Sequence, residues 1–191
     1  MKKIIIAGLI GAVTLFIWSS VSHMALGWHE SYTLRFNDED AITAILSKEC
    51  PEAGIYALPN PVMEGLSSEE ATAAWQAAVK QHETGITFFG AVGKKSGNSF
   101  GKMLTIQFLN NCFCFLIIAM LLCCQGPKPF LHRVLFVELV ALLAFVGFMV
   151  PLWSWYGFSG TYILVNLFDT LIGWGLAGAM TALVFKRSES G

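Results

Sequence analysis

The stretch MLTIQFLNNCFCFLIIAMLLCC, Met103 to Cys124, contains no Asp, Glu, Lys or Arg. A membrane span needs about 20 largely apolar residues, and this run is long enough. In lipid, a helix satisfies its own backbone hydrogen bonds, so a run of this kind reads as a transmembrane helix. Working outward, three more stretches repeat the pattern. Ile4 to Leu26 is free of those four residue types, Val134 to Leu152 is interrupted only by Glu138, and Thr161 to Phe185 only by Asp169. The predicted fold class is an α-helical integral membrane protein with spans at 4–26, 103–124, 134–152 and 161–185.

The composition agrees. The chain has 191 residues, 55% hydrophobic and only 13% charged, with mean hydropathy +0.61. Soluble domains carry about 25% charged residues. A disordered chain, a nucleic-acid binder and a typical cytosolic enzyme are excluded. The first span also has some features of a signal peptide, with Lys2 and Lys3 before the apolar run and small residues at Ser20 and Ser22. Its length exceeds a normal signal core, which favours an uncleaved helix.

Orientation follows from Lys and Arg. With both termini in the cytoplasm, the inside segments hold Lys2, Lys3, Lys128, Arg133, Lys186 and Arg187 against one acid, Glu189. Residues 27–102 hold six basic and ten acidic residues and fall outside. Lys94, Lys95 and Lys102 dissent, since they flank the second span on that outer side.

Residues 27–102 predict a small extracytoplasmic α+β domain in the order β-α-β-α-β. Tyr32, Leu34 and Phe36 alternate with polar neighbours across Ser31–Phe36, a strand signal. Asn37 and Asp38 offer an N-cap to a helix whose Ala41, Ile42, Ile45 and Leu46 share a face. Gly54 to Leu58 reads as a strand stopped by Pro59. Ser67 and Glu70 form a capping box, and Ala71, Ala74, Trp75, Ala78 and Val79 follow on one helical face. That pattern predicts Trp75 buried against the sheet. Ile86 to Val92 is the last strand.

Ionisable and amide side chains inside spans are the strongest functional signal. Asp169 lies about 12 Å from the outer end of its helix at 1.5 Å per residue. Gln107, Asn110 and Asn111 fall at similar depth, and Asn166 is one turn from Asp169 on the same face. These five residues predict one polar layer, with Glu138 as a second, deeper acid near the depth of Thr181. A competing structural reading is that Asp169, Gly173, Ala177 and Thr181, spaced at i+4, form a helix-packing stripe.

His23, His29 and Glu30 cluster near the outer end of the first span and have metal-ligand chemistry, but match no zinc spacing. His82-Glu83 ends a helix of the outer domain. Interface or surface roles are the preferred reading of both groups. Cys112, Cys114, Cys123 and Cys124 share one helix and cannot converge on one ion, so they read as apolar filler. Cys50 is either a free thiol or half of an intermolecular bridge. Gly93 to Lys102 lacks the spacing of a phosphate loop and reads as a tether. Trp153, Trp155, Tyr156 and Phe158 read as an interfacial aromatic belt. No nucleophile–base pairing is evident, and no cofactor is expected.

Phe16 to Leu26 (FIWSSVSHMAL), Gly54 to Pro59 (GIYALP) and Trp153 to Phe158 (WSWYGF), with the four-span layout, resemble a group of uncharacterised bacterial four-helix inner-membrane proteins. Those proteins carry Leu-Pro where this chain has Leu26-Gly27. The resemblance implies a bacterial inner membrane and no assigned activity. The expected function is non-enzymatic: the outer domain binds or positions an envelope protein partner, or a second copy of the chain, while the helices anchor it in the bilayer. The rival is a small transporter or proton-coupled channel component using Asp169 and Glu138. The two separate on whether Asp169 faces a wet cavity or a dry, packed bundle.

Overall fold

The computed structural model describes residues 1–93 and 99–186. Lys94, Lys95, Arg187 and Glu189 lie outside the described residues. Helix α1 (Lys2–Ala25) leads into a 3-10 turn (Trp28–Ser31), then α2 (Glu39–Glu49), β1 (Gly54–Leu58), α3 (Ser68–Thr84), β2 (Phe88–Val92), α4 (Phe100–Cys124), α5 (Phe130–Tyr156) and α6 (Gly160–Lys186). Four of these helices, α1, α4, α5 and α6, are long and apolar enough to cross a membrane. The chain reads as a multi-pass membrane protein.

The chain divides into two compact units. The first holds Met1–Leu34, Asn98–Val150 and Ser159–Gly191. Here α1 lies against both α4 and α6. The core gathers Ala7, Ala12 and Leu15 of α1, Phe115, Ile118, Ala119 and Leu122 of α4, Val137 of α5, and Ala177 and Phe185 of α6. The i+4 stripe on α6 packs as small-residue stripes do. A Cβ on Gly173 would sit 2.6 Å from Trp18 Cδ1, so only glycine admits that approach. Thr181, fully buried, donates to the Ala177 carbonyl at 2.8 Å and lies 3.4 Å from the Ala7 carbonyl. Outward faces stay apolar: Ile6, Leu9, Val13 and Ile17 of α1 are all exposed.

At the end of this unit where α1 begins and α6 ends, the basic residues converge. Lys3 Nζ donates to the Phe185 carbonyl at 3.3 Å and lies 5.0 Å from the Phe185 ring centre. The Arg133 guanidinium sits 5.6 Å from the same ring. A cation near the last carbonyls of a helix complements its dipole.

The second unit holds Arg35–Gly97 and Pro151–Phe158. Its sheet has two antiparallel strands, with Gly54 opposite Val92 and Leu58 opposite Phe88. Asp38 caps α2 by accepting from the Ala41 amide at 2.9 Å. The Ser67–Glu70 capping box opens α3. The predicted strand at 31–36 does not form, so residues 27–102 run turn-α-β-α-β in chain order. The reason is local. Ser31 Oγ donates to the Trp28 carbonyl at 2.6 Å and Thr33 Oγ1 to the His29 carbonyl at 3.0 Å. Such bonds offer the backbone an alternative to a strand ladder.

Trp75 also departs from expectation: it is 59% exposed. Among the described residues of this unit, only Cys50 is buried, as a free thiol. A two-stranded sheet is too narrow to cover a helix face, and a unit this small buries little. Trp75 instead lines a groove of about 400 Å³ with Pro59, Pro61, Val79, His82 and Trp155. Tyr156 of the 153–158 segment packs on Phe89 with ring centres 4.0 Å apart.

Candidate functional site: a polar cleft and a histidine–aspartate cluster

The helical unit carries a cleft of about 170 Å³ between α1, α4 and α6. Leu15, Trp18 and Ser19 line it from α1, Gln107, Asn110, Asn111 and Cys114 from α4, and Asp169, Thr170 and Trp174 from α6. Four of the five residues of the expected polar layer therefore meet at one cleft. Asn166 is not among the lining residues. Its amide turns back along α6 and donates to the Tyr162 carbonyl at 2.8 Å.

The bonding inside the cleft differs from a mutual amide–acid layer. Gln107 Nε2 donates to Asn111 Oδ1 at 3.0 Å, an i,i+4 bond within α4. That leaves Asn111, 2% exposed, with its Nδ2 unpartnered among the described residues. An unpaired buried donor costs about 1 to 3 kcal/mol. Asp169 takes its partner from α1: Trp18 Nε1 donates to Oδ1 at 2.8 Å and lies 3.2 Å from the Asp169 carbonyl.

The second carboxylate oxygen of Asp169 faces a histidine. His29 Nε2 stands 3.9 Å from Oδ2, with both side chains largely buried. Gly27 makes this possible. It follows the end of α1 with φ +64°, a left-handed turn that folds the chain back over the helix. The turn stacks His29 on His23 with ring centres 3.9 Å apart and planes 18° from parallel.

His29 is held at both nitrogens. Nδ1 lies 2.6 Å from the Tyr32 hydroxyl and Nε2 lies 2.8 Å from Ser22 Oγ. Ser22, itself fully buried, accepts from Trp28 Nε1 at 3.0 Å. This pattern is satisfied when the Ser22 hydroxyl donates to His29 Nε2 and His29 Nδ1 donates to Tyr32. Tyr32 in turn meets Tyr162 of α6 edge-on at 4.8 Å. Burial lowers the His29 pKa below its ordinary value; the neighbouring His23 adds to this, and Asp169 opposes it.

His23, His29 and Asp169 thus offer three ligand atoms within 4.8 Å of one another. Glu30, expected to join the histidines, is exposed and outside that group. Glu138 also stands apart. Its carboxylate rests on Gly175 of α6, and its Oε2 has no hydrogen-bond partner among the described residues. It does not line the cleft. The sequence did not mark Trp18, Ser22 or Tyr32 as site residues. Trp18 and Ser22 do sit four residues apart, one helical face, inside the FIWSSVSHMAL stretch.

Comparison with known proteins gives no matching family model, no matching curated protein and no matching solved structure.

Proposed function

We propose that the chain is a small transporter or channel component of a bacterial inner membrane, with both termini cytoplasmic. It binds a small cationic or polar solute in the cleft between α1, α4 and α6. Asp169 is the charged contact, held in place by Trp18. The observation that carries this reading is the setting of the Asp169 carboxylate. It lines a polar cleft beside the buried amide of Asn111, whose Nδ2 is unpartnered among the described residues. A bundle that serves only as an anchor has no reason to retain such groups, which are costly in lipid. A hydrated or polar cation would satisfy Asn111 Nδ2 through an oxygen it carries while its positive charge met Asp169. The acidic balance of residues 27–102 and the convergence of Lys3 and Arg133 where α1 begins and α6 ends support the orientation.

The test is flux of radiolabelled mono- and divalent cations into proteoliposomes. The parent protein is expected to accelerate uptake of at least one, and Asp169→Asn to abolish it without loss of fold. Equal flux in the variant would remove Asp169 from the mechanism.

A second reading is favoured by a separate observation. The groove beside Trp75 and Trp155, both more than half exposed, is a surface on which an extracytoplasmic domain would bind or position an envelope protein partner. Crosslinking from a photoreactive residue at Trp75 tests it, and a cell envelope yielding no discrete adduct would count against it.

A further inference from the structure

We propose that His23, His29 and Asp169 bind a divalent transition-metal ion of the zinc type at the end of the bundle where α1 leads into the 3-10 turn. The inference rests on the reading of Asp169 as a solute-facing group and names the solute class. Two imidazoles and a carboxylate are a donor set that such ions take, with a fourth position left for water or solute. The three ligand atoms lie within 4.8 Å of one another.

What raises this above a chance cluster is the support behind each ligand. Metal-binding histidines usually donate their other ring nitrogen to a fixed acceptor, which sets the tautomer and aims the lone pair. His23 Nδ1 lies 3.0 Å from the Ser19 carbonyl, so it donates there and leaves Nε2 to coordinate. His29 Nδ1 is bound to Tyr32 at 2.6 Å, again leaving Nε2. Asp169 Oδ1 is fixed by Trp18 at 2.8 Å, leaving Oδ2, the oxygen that faces His29. All three outer partners are in place, and Asp169 Oδ2 stands 3.9 Å from His29 Nε2.

One movement is needed. Imidazole rings stacked 3.9 Å apart direct their lone pairs side by side, not at a common point. His23 is exposed, so its ring can turn out of the stack, whereas His29 is held on both sides. Ser22 Oγ, 2.8 Å from His29 Nε2, then gives up that contact and keeps the one to Trp28.

The experiment uses the full chain in detergent, stripped with a chelator and titrated calorimetrically with Zn²⁺. One equivalent is expected to bind. His23→Ala, an exposed position where folding is not at stake, should weaken binding at least about tenfold, since even loss of an outer partner costs 10- to 100-fold. Asp169→Asn should do the same, while His82→Ala and His132→Ala leave it unchanged. The protein loaded with Co²⁺ should show the visible bands of a nitrogen and oxygen site. Unchanged affinity in His23→Ala overturns the proposal, as does a sulfur-to-metal charge-transfer band, which would show a cysteine thiolate on the ion. Zn²⁺ bound through His23 by a protein that supports no flux would uphold this site while removing the transport reading.

Discussion

Replacing Trp18 by phenylalanine separates the polar anchoring of Asp169 from the packing of the bundle. Phenylalanine keeps an aromatic ring against Gly173, where the indole now lies 2.6 Å from the place a Cβ would take. It deletes the indole N–H that donates to Asp169 Oδ1 at 2.8 Å. Hydrogen bonds to charged groups contribute about 1.5 to 3 kcal/mol net. The Asp169 side chain is 17% exposed, so solvent recovers part of this loss and the lower end of the range applies. Trp18→Phe is expected to destabilise by about 1.5 to 2 kcal/mol, of which the smaller ring accounts for a part. The bond itself is isolated by a double-mutant cycle with Asp169→Leu, read by denaturant titration in mixed micelles. The expected coupling is about 1 to 1.5 kcal/mol. If the two substitutions add to within about 0.3 to 0.5 kcal/mol, the pair does not interact and Asp169 is not held by α1.

Three further outcomes are expected. Gly173→Val should lower bundle stability by about 1 to 3 kcal/mol, because its branched carbon is driven into Trp18, and thermal unfolding in detergent reads this directly. Glu138→Met should leave stability equal or raise it by about 1 kcal/mol, since it removes an unpaired buried oxygen, and a loss of stability in the same assay would mean the carboxylate has a partner. Two hydrogen bonds from Ser67 lower the Glu70 pKa, so the α3 cap is present above the ordinary carboxylate range and is lost as pH falls below about 4.5. Proteolysis of α3 should rise with acidification in the parent, and Ser67→Ala, which keeps only the backbone N–H donor, should weaken the pH dependence.

The four long helices were legible because lipid imposes one local rule, a sustained apolar run, that needs no tertiary context. Both N-caps in the small unit were equally local: Asp38 and Ser67–Glu70 act within three residues. The expectation for 31–36 failed because alternation of Tyr32, Leu34 and Phe36 is silent about competing side-chain bonds from Ser31 and Thr33. Trp75 was placed on the right helical face, but burial depends on what covers that face. Its groove neighbour Trp155 comes from the far end of α5, with all of α4 between them in the chain.

The site was legible by depth and not by bonding. Residue counting brought Asp169 level with Gln107, Asn110 and Asn111, and these line one cleft. The partners of Asp169 were hidden for two reasons. Trp18 reads as one more apolar residue in a span, since hydropathy does not record its N–H. His29 reaches Asp169 only through the left-handed turn at Gly27, and every element from α2 to α5 intervenes between the two in sequence.

Whether Asp169 faces water decides most. Single cysteines at Asn110 and Thr170, which line the cleft, and at Phe168, which is 55% exposed on the apolar outer face, can be compared in a cysteine-free background. In intact membranes, a charged, membrane-impermeant thiol reagent is expected to label Asn110→Cys and Thr170→Cys and to spare Phe168→Cys. Protection of both cleft positions, or equal labelling of Phe168→Cys, would contradict a hydrated cleft and return the bundle to the role of an anchor.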